Sequence, residues 1–151
     1  VFGPLVNYTI DAFLNAPEKD WSAEALVNMN KNKDTRIEDR KKARITGTKP
    51  SLALDKYVGE YASDNYGKIT VVKADGKLKV LFEHTPDLTS TLEHWHYDTW
   101  EMKWDNPDLL AWFTFGTVKF VLDNNNNVTG LAFDVPNDDF LFEELQVKRI
   151  K

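Results

Sequence analysis

The stretch Glu93-His94-Trp95-His96-Tyr97-Asp98-Thr99 is where the chain gathers its most reactive side chains. On a strand, alternate side chains share a face. His94 and His96 therefore point the same way and can grip one metal ion, with Asp98 next in line. Such a site needs a further ligand from elsewhere, and His84 is the only other histidine. The alternative is structural: one imidazole hydrogen-bonds inside a barrel while Trp95 and Tyr97 pack on the other face. A second group is aromatic. Trp100, Met102 and Trp104 fall on one face, and Trp112, Phe113 and Phe115 follow. These rings either line a hydrophobic cavity or form ordinary core. His94, Trp95, His96, Tyr97, Trp100, Trp104 and Trp112 are the candidate ligand-binding residues. No catalytic residue, cofactor or metal is assigned.

Other chemistries find little in the sequence. There is no G-x-S-x-G elbow, and none of Ser22, Ser51, Ser63 and Ser90 is followed three residues on by Lys. Neither G-x-x-x-x-G-K-[ST] nor G-x-G-x-x-G occurs, so no phosphate cradle is expected. Asp138/Asp139 and Glu143/Glu144 are adjacent pairs, and neighbours on a strand face opposite ways, which makes them poor acid–base couples. With no Cys, disulfides, thiolate metal sites and Cys nucleophiles are excluded. Asn7-Tyr8-Thr9 and Asn127-Val128-Thr129 fit the glycosylation sequon, which matters only in a secreted eukaryotic chain.

The elements that must position these residues change texture near Pro50. Before it, Tyr8, Ile10, Phe13 and Leu14 suit one side of a short helix, which Pro17 interrupts. Asp20 or Ser22 can cap a second helix, and from Lys31 to Arg44 the pattern is almost wholly polar. After Pro50 the period becomes two. Strands are expected over 56–61, 67–74, 77–83, 88–96, 99–104, 111–115, 117–122, 128–135 and 140–148. Asp75-Gly76 signals a tight hairpin, and Asn106-Pro107-Asp108 and residues 123–127 signal turns. No long helix lies between the strands, so parallel pairing is disfavoured. The expected fold is mainly β: an antiparallel up-and-down barrel of about eight strands over 51–151, after a helical connector over 1–50.

Charge and length bound the rest. The 151 residues hold one ordinary domain with an appendage. Net charge is −5, and the basic residues cluster in 31–44, where seven Lys or Arg face three acids. An acidic body is a poor match for phosphate backbones, and the basic block lacks aromatics, so no nucleic-acid partner is expected. No apolar run is long enough for a membrane span, and residues 1–10 lack the basic start and apolar stretch of a signal peptide. The absence of an initial Met suits a processed product or a piece of a longer chain.

Residues 54–61 (Leu-Asp-Lys-Tyr-Val-Gly-Glu-Tyr), Tyr66-Gly67, the Asp75-Gly76-Lys77-Leu78 hairpin, His94-Trp95-His96-Tyr97-Asp98-Thr99 and the strand 118–122 resemble the DUF3471 family over about residues 50–150. That domain of unknown function follows serine β-lactamase-like and penicillin-binding-protein-like hydrolases. The resemblance implies a lipocalin-like barrel that packs on the hydrolase and influences access to its active site. It also implies a bacterial cell-envelope or periplasmic setting. Residues 1–45 resemble the end of the hydrolase domain and its connector. The hydrolase motifs themselves are missing: Gly47-Thr48-Lys49 has the Lys-Thr-Gly letters in the wrong order, and Tyr66-Gly67-Lys68 lacks the Asn of Tyr-x-Asn. No catalytic residue carries over. The expected function is a non-catalytic accessory barrel with the upstream hydrolase domain as partner. The alternative is a stand-alone barrel for a small hydrophobic ligand or peptide.

Overall fold

A computed structural model describes residues 2–64, 66–137 and 140–151, with the backbone alone for Ala111. The described chain separates into two compact units, 1–43 and 44–151.

The first unit is two helices, α1 (Phe2–Leu14) and α2 (Trp21–Ala43). Pro17 was expected to interrupt the first, but Asn15 stops it earlier. Asn15 takes φ +49°, its N–H donates to Ala12 O, and the N–H of Ala16 donates to Asp11 O at 2.9 Å. That pair of bonds is the left-handed cap that satisfies a helix's last carbonyls. Asp20 caps α2 by accepting from the N–H of Ala23 at 2.9 Å. Trp21 at its first turn donates its indole N–H to Asp11 at 2.7 Å, which ties the two helices together. Among the described residues no helix is long and apolar enough to cross a membrane.

The second unit is a closed antiparallel barrel of eight strands in sequence order. They are β1 (Gly59–Ser63), β2 (Gly67–Ala74), β3 (Lys77–Phe82), β4 (Thr85–His96), β5 (Thr99–Trp104), β6 (Thr117–Leu122), β7 (Val128–Asp134) and β8 (Val147–Arg149). Alternation builds the interior: Leu78 and Val80 of β3 and Trp100, Met102 and Trp104 of β5 are all buried. Tyr57 lies 4.8 Å from Phe120 and 5.8 Å from Trp100, so rings pack against one another in the interior.

Three expected strands give way in whole or in part to 3₁₀ turns, and β4 begins at Thr85 rather than Leu88. The first begins at Gly59, because Leu54–Lys56 winds into a single 3₁₀ turn. Residues 111–115 are not a strand. Pro107–Ala111 is a 3₁₀ helix, started by Asn106, whose side chain accepts from the N–H of Asp108. Residues 140–148 give only the short β8, after a 3₁₀ turn, Phe142–Glu144, that pushes Phe142 into the core. In each loop a ring that suggested a strand, Phe113 in one and Phe142 in the other, packs into the core from the barrel's end, whereas Trp112 stays exposed.

Closure rests on the short β8. Tyr61 pairs with Arg149 and Ala62 with Lys148 on one side, Gly130 with Lys148 and Leu131 with Val147 on the other. Each neighbouring strand brings a glycine to the seam. A Cβ on Gly59 would stand 2.5 Å from Lys151 O, and one on Gly130 2.4 Å from Val147 O. Arg149 extends the seam by donating to the carbonyls of Lys56 (2.9 Å) and Val58 (2.7 Å).

Candidate functional site

The β4–β5 hairpin carries six of the seven expected ligand residues, and a bulge decides how those near its turn face. The register shifts between His94 and His96, leaving Trp95 as the extra residue. Trp95 is buried against the Arg44 guanidinium (4.6 Å to the ring centre) and Phe115 (5.3 Å between centres). Arg44 also donates from Nε to Trp95 O at 2.9 Å and from Nη2 to His94 O at 3.0 Å. His94 Nε2 donates to Tyr97 O at 2.9 Å. His96 Nδ1 accepts from the N–H of Ile45 at 3.3 Å, which leaves its proton on Nε2. Burial, then the neighbouring His94, Arg44 and Lys119, pushes the His96 imidazole below its usual pKa. Tyr97 opens the tight turn at φ +46°, stays exposed, and donates its N–H to Thr48 Oγ1 at 3.0 Å.

Asp98 does not continue the histidine face. It turns inward and is buried, accepting from the N–H (2.9 Å) and hydroxyl (2.7 Å) of Ser51 and from the Tyr57 phenol. Burial raises its carboxyl pKa, but these bonds outweigh that and hold it below the ordinary value. Burial, then the Asp98 bond, drives the Tyr57 phenol well above its usual range. Burial likewise pushes Tyr61 up to about 12. Tyr61 donates to Tyr57 O at 2.7 Å, so the chain Tyr61–Tyr57–Asp98–Ser51 locks the lead segment, 44–57, onto the hairpin. Among the described residues no three His, Asp or Glu side chains gather as a metal would need. Asp138 and Asp139 lie outside the described residues.

The seven expected residues do not share one site. Trp100 and Trp104 are core, at opposite ends of β5, and Trp112 is exposed on the loop between β5 and β6. Trp104 leads to a feature that strand periodicity concealed. At the end of the barrel away from the 97–98 turn, a cavity of about 460 Å³ opens between the connecting segments. Tyr66 and His84 bring to it the β1–β2 and β3–β4 turns, Phe113 the loop before β6, and Phe140, Phe142 and Leu145 the loop before β8. Phe142 is the hub, 4.6 Å from Phe140, 5.2 Å from Phe113 and 6.4 Å from Trp104. Gly67 makes room for His84: it takes φ +75°, and a Cβ there would meet the imidazole at 2.5 Å.

Residues 43–149 match the family described as Domain of unknown function (DUF3471). The chain belongs to the DUF3471 family. A similar solved structure is the crystal structure of the C-terminal domain of penicillin binding protein Rv0907. It is 21% identical, the match covers 71% of this chain and 93% of that one, and the TM-score is 0.49. No curated protein matches.

The DUF3471 match thus spans the whole barrel and both of its ends. At the hairpin end the polar side chains hold the lead segment. The opposite end offers an open apolar concavity instead, the kind of surface that takes up a ligand or partner side chain. The one sequence signal for it was the pair of ring-rich segments following Pro107 and Pro136, Trp112 to Phe115 and Phe140 to Phe142.

Proposed function

We propose that the DUF3471 barrel is a non-catalytic accessory domain of a serine β-lactamase-like hydrolase, docking on the catalytic domain and shaping substrate access or oligomerisation. The boundary at residue 50, with 1–50 as connector and 51–151 as barrel domain, belongs to this proposal, as does a periplasmic or cell-envelope location. The observation that carries it lies in the helical unit. By itself that unit leaves Phe2, Leu5, Phe13 and Leu14 of α1 exposed and buries no residue of the helix. A short helix this apolar gains little stability until another surface covers it. The end of a larger catalytic domain is a fitting cover. The test is to add the hydrolase domain that the resemblance implies in trans and follow peptidase or esterase turnover. Binding with an altered rate is expected; neither binding nor a change in rate would overturn the proposal.

A second reading, favoured by the cavity at Phe140 and Phe142, is a binding barrel for a small hydrophobic ligand or peptide. It moves the site away from His94, Trp95, His96 and Tyr97: the carbonyls of His94 and Trp95, the His96 Nδ1 and the Tyr97 N–H are bonded to residues 44–48, and the His94 ring is bonded to Tyr97 O.

A further inference from the structure

The end of the barrel that holds the cavity is also one-sided in charge. Its connecting segments present Asp64, Glu83, Asp108, Glu143 and Glu144, all exposed, and hold no Lys or Arg. Asp105 is there too, but Lys79 takes it up at 2.9 Å. The nearby Lys68 reaches Glu60 with its ammonium at 3.3 Å and gives Glu83 only its backbone N–H at 3.0 Å, while the His84 imidazole lies 3.8 Å from the same Glu83 oxygen. The segments at the other end mix signs, with Arg44, Lys49 and Lys56 beside Asp55, Asp75 and Asp98. The acidic end is apolar as well: Tyr66, Leu110, Trp112 and Leu141 are exposed on it. Behind it, the Trp104 indole N–H is buried with no acceptor, although its ring packs 5.3 Å from Phe113.

We propose that this cavity binds a short basic peptide segment of a partner protein, one bulky apolar side chain entering between Phe113 and Phe140 while flanking Lys or Arg meet the acids. The claim rests on the binding-barrel reading and narrows it to one class. A cavity of about 460 Å³ falls toward the small end of ordinary ligand sites, enough for a ring or branched aliphatic group. The acids select what carries that group. A fatty acid would bring its carboxylate toward Glu83, Glu143 and Glu144, and a nucleic acid its phosphates; both are repelled. A cationic segment is attracted.

The test titrates the full chain with the pentapeptide Lys-Lys-Phe-Lys-Lys, against Lys-Lys-Ala-Lys-Lys, Glu-Glu-Phe-Glu-Glu and decanoate, by calorimetry and tryptophan fluorescence. Burying the ring should make the Phe peptide bind roughly ten-fold or more tighter than the Ala peptide. The acidic peptide should bind least, and raising salt well past the point where the Debye length falls below about 8 Å should weaken the Phe peptide several-fold. Phe140→Ala should erase the preference for Phe over Ala. The exposed double change Glu143→Lys/Glu144→Lys, which leaves the core untouched, should erase the preference for the basic peptide. Equal binding of the Phe and Ala peptides, or of the basic and acidic ones, would overturn the proposal. Decanoate binding with no basic-peptide binding would overturn it too, yet leave the binding-barrel reading standing. If neither binds, both fail.

Discussion

The phenol of Tyr57 donates to the carboxylate of Asp98 across 41 positions of sequence, joining the segment that enters the barrel to the tip of the β4–β5 hairpin. The same phenol oxygen accepts from the N–H of Leu52 at 3.0 Å. Tyr57→Phe removes both bonds at a fully buried position and leaves a carboxylate short of a donor. Hydrogen bonds to charged groups contribute about 1.5–3 kcal/mol. The variant should lose about that much in urea unfolding, with an unchanged m-value.

Asp98 should make the barrel acid-sensitive. Its folded-state carboxyl is held below the ordinary value because the bonds from Tyr57 and Ser51 outweigh the effect of burial. The unfolded chain therefore binds the proton more readily. The stability Asp98 contributes is complete above the unfolded carboxyl value of about 3.9 and is lost as pH falls through the lower folded value. Asp105, held down against burial by Thr89, Lys79 and Thr91, acts with the same sign. Asp98→Asn should be less stable at neutral pH and show a shallower acid limb in stability measured from about pH 6 to pH 2. An acid limb as steep as that of the parent chain would refute the assignment.

Arg44 should resist replacement even by Lys. Its fork donates to two successive carbonyls, those of His94 and Trp95, while its plane covers the Trp95 ring. Lys cannot reproduce two directed bonds and a stacked plane together. Arg44→Lys should recover little of the loss in Arg44→Ala, which is expected at about 1–2 kcal/mol. Trp95 emission, isolated in a background lacking the other tryptophans, should shift to the red in both variants.

Period two and turn chemistry made most of the barrel legible. Leu78 and Val80 alternate with lysines, Asp75-Gly76 turns where both φ values are positive, and β2, β5 and β6 keep their expected bounds. The misplaced parts share a cause. Phe113 and Phe142 looked like strand residues because they are aromatic, whereas they plug the barrel's end from loops. His94 and His96 looked like a paired face because alternation assumes an unbroken ladder, and one extra residue, Trp95, breaks it. The cavity was hidden for the same reason: four turns distant in sequence build it, and no periodicity within a strand records their meeting.

The seam at β8 supplies the last prediction. β8 is the shortest strand, and its partners meet it through backbone alone at Gly130, where a Cβ would come 2.4 Å from Val147 O. That oxygen belongs to the ladder between Leu131 and Val147, so it has little freedom to move aside. Gly130→Ala should therefore force β7 and β8 apart, at an overpacking cost of about 1–3 kcal/mol. Gly76→Ala is the contrast. Gly76 has open space around it but φ +76°, so the change should cost only about 1 kcal/mol of backbone strain and leave the seam closed. Hydrogen exchange separates the two effects. In Gly130→Ala the amide of Ile150, which donates to Glu60 O at 2.9 Å across the seam, should exchange faster relative to those of β3. In Gly76→Ala the ratio should stay as in the parent chain, because the strain there sits in a hairpin turn remote from closure.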